Sequence, residues 1–137
     1  MAGTIVADTL QSSITGTPVQ FNDGTGTQIG TLCRAFVNFN GTTNIGGFCT
    51  IRASFNVTSV ADNGTGDYTI NFTTAMPDAN YSVAGACQFG TSGGNQSFVA
   101  VKAAASPYQT TSLNVVGIRS DTAALTDFVA VNVAIFR

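Results

Sequence analysis

The sequence predicts an all-β fold, an antiparallel β-sandwich of about seven to eight short strands with an extended N-terminal arm. Three observations carry that expectation. Apolar and polar residues alternate with period two in CRAFVNFN (33–40), TIRASFNVT (50–58) and YTINFT (68–73), the pattern of strands with one dry face and one wet face. Clusters of turn residues separate the alternating segments, at 41–47 (GTTNIGG), 62–66 (DNGTG), 90–95 (GTSGGN) and 106–109 (SPYQ). No window combines helical spacing with capping residues, and 122–127 reads as a loop.

Taken from the start, residues 4–10 offer one candidate strand with Ile5, Val6 and Leu10 as its apolar side chains. Residues 11–30 form a Thr-, Gly- and Gln-rich connector that includes Pro18 and offers little to bury. The expected organisation is therefore an arm and connector over 1–30 and a sandwich over 31–137. In 33–40 the inward set is Cys33, Ala35, Val37 and Phe39, with Arg34, Phe36, Asn38 and Asn40 facing out. The stretch NIGGFCT (44–50) reads as a small insertion before the second strand. Ile51, Ala53, Phe55 and Val57 are expected inside over 50–58, and Tyr68, Ile70 and Phe72 over 68–73.

The second half alternates with less contrast. Residues 81–89, 96–104, 111–118 and 128–136 are all strand-like. The last of these, FVAVNVAIF, is apolar on both faces apart from Asn132. Such a strand needs cover on both sides, and part of that cover is expected from another copy of the chain.

Composition narrows the functional classes. The chain has 137 residues, enough for one domain, with 44% hydrophobic but only 9% charged residues and a net charge of −2. A typical domain carries roughly 25% charged residues. The surface must then be built from Thr, Ser, Asn, Gln and Gly, which repels other proteins weakly and favours close contact. Five scattered cations give no patch for phosphates, so nucleic acid is not expected as a partner. No run of apolar residues is long enough to cross a membrane, and the opening MAGTIVADTLQSS lacks a secretory pattern. Cys33, Cys49 and Cys87 match neither a disulfide framework nor a metal-binding spacing, and read as free thiols.

The stretch DNGTGD (62–67), with Asp62 and Asp67 around Asn63 and two glycines, could be a metal loop or a turn. Its place between two strands, its Asn-Gly pair and the absence of any Glu favour a hairpin turn. Catalysis lacks its usual residues. There is no His and no Glu, which removes the common general bases and the usual triads. Asp121 and Asp127 read as a solvated pair, and Cys87 has no basic neighbour to activate it. The expectation is a protein without enzymatic activity and without a cofactor or bound metal.

The strings CRAFVNFNG, IRASFNVTSVADNGTGDYTINFTTAMPDANYSV and the terminal VAIFR resemble the C-terminal domain of bacteriophage tail fibres and related virion proteins, frequent in marine and cyanobacterial phages. The opening MAGTIVADTL is similar to the start of such proteins. The resemblance implies a β-sandwich knob, commonly a homotrimer, made in the host cytoplasm and displayed on the virion, where it often contacts the host surface. The chain lacks the repetitive shaft of long fibres, so a capsid decoration or cement protein that stabilises the phage head is the alternative. In either case the arm, through Ile5, Val6 and Leu10, is expected to attach to other virion proteins. If the knob meets host surface polysaccharide, planar aromatics and amides in loops would supply the contacts, and Phe89, Asn95, Gln96, Tyr108 and Gln109 are the candidates.

Overall fold

The computed structural model describes residues 20–22, 27–29, 33–90 and 97–137. The chain divides between Leu32 and Cys33 into two units, two residues beyond the expected boundary. In the first unit, β1 (Gln20–Asn22) pairs antiparallel with β2 (Thr27–Ile29), Gln20 lying opposite Ile29. This corrects the reading of 11–30 as a connector without strands, because NDGTGT now joins two paired segments. Ile5, Val6 and Leu10 lie outside the described residues.

The second unit is the expected antiparallel all-β fold. Its eight strands are β3 (Cys33–Ile45), β4 (Phe48–Phe55), β5 (Val57–Gly64), β6 (Asp67–Phe72), β7 (Ser82–Gln88), β8 (Ser97–Val101), β9 (Ser112–Arg119) and β10 (Ala130–Phe136). They form one sheet in the order β7-β10-β3-β4-β5-β6-β9-β8, with every pair antiparallel. The two layers of the fold are halves of this sheet, which curls until β7 comes against β8. Among the described residues no hydrogen-bonded ladder joins those two strands. The Val99 side chain instead lies over the bare backbone of Gly85: a Cβ placed on Gly85 would lie 3.0 Å from Cβ of Val99. The result is a nearly closed barrel.

The core follows the alternation. Ala35, Val37 and Phe39 of β3, Tyr68, Ile70 and Phe72 of β6, Leu113 and Val115 of β9, and Val131, Val133 and Ile135 of β10 are all buried. The ring of Phe39 meets Tyr68 edge-on at 5.0 Å across the interior, a favoured aromatic geometry. Phe128, fully buried, lies against Gly117, where a Cβ would come within 2.7 Å of its ring. The inner face of β10 is thus filled by the chain's own core, and only its outer face is left for another copy.

Two expectations about the second strand need correction. The stretch 44–50 is no insertion: β3 and β4 form one long hairpin that turns at Gly46 and Gly47, both at positive φ. Gly41, expected in a turn, is a buried strand residue whose missing side chain makes room for the Tyr68 hydroxyl, 2.4 Å from where a Cβ would be.

The second correction concerns 50–58, which is two strands. A register shift in the β3–β4 ladder places Asn38 opposite Ala53 but Phe39 opposite Ile51, so Arg52 is the extra residue of a bulge. One extra residue reverses which side chains face the core. Ile51 therefore points inward, while Ala53 and Phe55 point out. Asn56 then turns the chain into β5 with a φ of 55°, a region Asn tolerates better than most residues. Its amide holds the corner by donating to the carbonyls of Arg34 and Thr74 (3.1 and 3.0 Å) and accepting from the Thr74 N–H (2.7 Å). Val57 re-enters the core.

Candidate functional site

The bulge builds an apolar surface on the outside of the barrel. Residues paired across a sheet share a face, and Ala84, Ala134, Phe36 and Phe55 are successive cross-strand partners over β7, β10, β3 and β4. The neighbouring row is Ala86, Asn132, Asn38 and Ala53. Phe36 is 41% exposed and Phe55 55% exposed. Their rings stack at 6.4 Å, 28° apart, and together form a ridge. Beside the ridge the alanines leave a shallow groove of about 450 Å³ over β7, β10 and β3.

The only polar side chains in these two rows are Asn38 and Asn132, and they bond to each other. Neither row carries a charge. At the margin the Arg52 guanidinium donates to the carbonyls of Phe39 and Val129 and to Oδ1 of Asn38. Phe36 was legible as an aromatic on an otherwise polar face. Phe55 and the alanines were not, because the bulge that turns Phe55 outward has no sequence signature.

The sequence-predicted contact residues do not come together. Phe89 packs edge-on against Phe128 at 6.0 Å, and the Arg119 guanidinium lies 4.8 Å from its ring centre, a cation–π contact that covers it. Tyr108 pairs with Leu113 at the other end of β9, 37% exposed and edge-on to Tyr81 at 5.4 Å. From Leu113 to Arg119 the strand runs about 20 Å, so Phe89 and Tyr108 belong to opposite ends of the barrel. Gln109 is exposed beside Tyr108, and its amide donates to the Ser106 carbonyl (3.3 Å). Asn95 and Gln96 lie outside the described residues.

The stretch 62–67 is a hairpin turn between β5 and β6. Asp62 accepts from the Asn44 amide and the Gly64 N–H (both 2.9 Å), and Asp67 forms an ion pair with Lys102. Asp121 and Asp127 are not the solvated pair the sequence suggested. Asp121 pairs with Arg119 (2.6 Å), whose guanidinium holds its carboxyl below the usual range. Asp127 accepts from the Tyr68 hydroxyl (2.9 Å) and the Gly66 N–H (2.7 Å), a structural pairing. The three cysteines are free, and burial pushes the Cys87 thiol up, away from nucleophilic use. Among the described residues no group of three or more His, Cys, Asp or Glu could hold a metal ion.

The uncharged Phe–Ala surface is therefore the feature of the barrel best suited to function, and what it can do chemically is pack against a complementary apolar surface. Comparison of the chain with protein-family models, with curated proteins and with solved structures finds no match.

Proposed function

We propose that the protein is a structural, non-enzymatic component of a bacteriophage particle: a short fibre or tail-fibre knob that self-assembles through its barrel, as a homotrimer. The observation that carries this reading is the exposed, uncharged surface of Phe36, Phe55, Ala53, Ala84, Ala86 and Ala134, on a chain with only 9% charged residues. Exposed apolar patches of this kind mark interaction sites, and a virion component works only when assembled. The resemblance of 33–83 and of the terminal VAIFR to tail-fibre domains supports the particular assembly. In this reading the arm joins the knob to other virion proteins. Tyr108 and Gln109, both exposed, are the side chains available for host polysaccharide.

The test is to label the C-terminus and image intact particles. Label at tail appendages, in low copy number, is the expected result. Label over the whole head would instead establish the decoration-protein alternative, and particles without label would overturn both. Supplying a variant without residues 1–12 to particles that lack their own copy tests the arm. The expected outcome is a folded knob that the particles fail to retain.

A further inference from the structure

We propose that Asn63 is a self-modification site: the fold singles out one of the chain's two Asn-Gly pairs for slow conversion of the side-chain amide to a carboxylate, with water as the only co-reactant. The inference stands apart from the assembly reading and does not rest on it. The sequence offers two such pairs, Asn40–Gly41 and Asn63–Gly64. In both, glycine leaves the following amide nitrogen unshielded, so the two are chemically alike in an unfolded chain. The barrel makes them unlike.

Asn63 sits where the β5–β6 ladder skips a residue: Asp62 lies opposite Tyr68 and Gly64 opposite Asp67, with nothing opposite Asn63. Asn63, Gly64 and Thr65 are exposed, and a Cβ on Gly64 would meet nothing within 4 Å. The Gly64 N–H donates to an Asp62 carboxylate oxygen (2.9 Å), and the Asn63 amide donates to Thr69 Oγ1 (2.9 Å) and Asp67 Oδ1 (3.4 Å). All three bonds end on side chains at the surface, where water can replace them. Asn40–Gly41 is placed the other way. Gly41 is buried, its N–H donates to the Phe128 backbone carbonyl (2.9 Å), and the Tyr68 hydroxyl fills the space beside its Cα. The Asn40 carboxamide oxygen is turned to Thr42, accepting from its N–H (3.1 Å) and its hydroxyl (2.8 Å). Bringing the Gly41 nitrogen onto that side chain would require this end of the barrel to open.

The step balances without an oxidant or a cofactor. The Gly64 nitrogen gives its proton to hydroxide and attacks Cγ of Asn63. The Cγ–Nδ2 bond breaks and ammonia leaves, its added proton supplied by water. The five-membered imide so formed takes up one water. Opening at Cγ gives aspartate, and opening at the Asn63 backbone carbonyl carbon gives isoaspartate, whose chain runs on through Cγ. Isoaspartate adds one carbon to the backbone, and a bulge is where a ladder already carries added length. The product no longer donates to Thr69 and Asp67. Its carboxylate instead faces that of Asp67, and like charges so placed repel. The net charge of −2 becomes one unit more negative. Because the amide is not restored, this turn acquires a charge that records elapsed time.

The test is to incubate the full-length protein in warm, mildly alkaline buffer, both folded and in urea, and to map its peptides by mass. In the folded protein the expected result is loss of the amide at Asn63, with aspartate and isoaspartate as separable products of one mass, while Asn40 keeps its amide. In urea both positions should convert at similar rates. Folded Asn63 as inert as folded Asn40, or folded Asn40 converting as fast as Asn63, would overturn the inference. Isoelectric focusing gives a second readout. The parent should develop a band one charge more acidic, and faster as pH rises, because the nucleophile is the deprotonated nitrogen. Asn63→Gln, whose amide would have to close a larger ring, should not develop it. An acidic band of equal intensity in Asn63→Gln would place the reaction elsewhere and overturn the site.

Discussion

Tyr68 shows how a single residue ties the barrel together. Its ring is fully buried against Phe39, and its hydroxyl, carried to the end of β6, donates to Asp127. The same carboxylate oxygen accepts the Gly66 N–H, so one side chain fixes both the core aromatic and the β5–β6 turn. A buried donor left without its acceptor costs more than a pair removed together. Asp127→Ala should therefore destabilise the protein by about 1–3 kcal/mol, and more than Tyr68→Phe, which deletes the donor and leaves Asp127 its backbone partner. Urea unfolding of the two variants measures the order, and the reverse order would refute the role given to Asp127. Burial raises the Tyr68 hydroxyl, with the bond to Asp127 adding to it, and pushes the Cys49 thiol from 9.0 to about 12, with Asp62 and Asp127 as lesser causes. Both groups thus favour their neutral forms in the fold. Their contribution to stability is complete below the unfolded-state values and is lost as pH rises through the folded ones. Stability should hold up to about pH 9 and fall toward pH 12, and Cys49→Ala should flatten part of that fall. A stability curve still level at about pH 11 would contradict this.

At the scale of the element, the sequence was most legible where alternation ran uninterrupted. The inward positions of β6 and the first half of β3 could be read residue by residue, because a strand with one buried face has only one workable register. Reading failed at the Arg52 bulge and the Asn56 corner. There the chain changes face by inserting a residue or by adopting a left-handed backbone, and neither leaves a mark on the alternation. The exposed Phe36–Phe55 ridge was hidden for the same reason: Phe55 counts as core until the bulge is known. The turn at 62–67 was legible because its Asn-Gly pair and flanking strands point to one geometry. Its carboxylates are occupied by Asn44, the Gly64 N–H and Lys102. Replacing Asp62 and Asp67 by Asn should cost no more than about 1 kcal/mol, the scale of a partly exposed ion pair. Thermal unfolding of parent and variant should not respond to calcium. A melting temperature that rises strongly with calcium in the parent and not in the variant would make the loop a metal site.

For the whole second unit, the expected layers turn out to be one sheet folded over its own core, with a seam where Val99 of β8 packs on the bare backbone of Gly85 in β7. All the buried residues of the described core cluster, from Ala35 to Ile135, belong to the second unit. A single core of this kind, closed by ladders except at the seam and at the β4–β5 join, where one pair (Phe48 opposite Ala61) holds the strands, satisfies its own strands without a further element. The sheet's two ends face each other, so its edges are covered rather than open to pairing with other chains. The fragment 33–137 is therefore expected to fold alone, in one cooperative transition monitored by the near-ultraviolet signal of its buried tyrosines. Gly85 should be the sensitive point of the seam, since any side chain there meets Val99 at 3.0 Å. Gly85→Val in this fragment should lower the unfolding free energy by the roughly 1–3 kcal/mol typical of overpacking. It should also speed hydrogen exchange in β7 and β8 before it does so in β3 or β6, because among the described residues no ladder joins β7 to β8, while the central ladders remain. Exchange that accelerates uniformly across the sheet would mean that the barrel opens as a whole and that the seam is no weaker than its ladders. A fragment with no cooperative transition would show that residues before Cys33 complete the core.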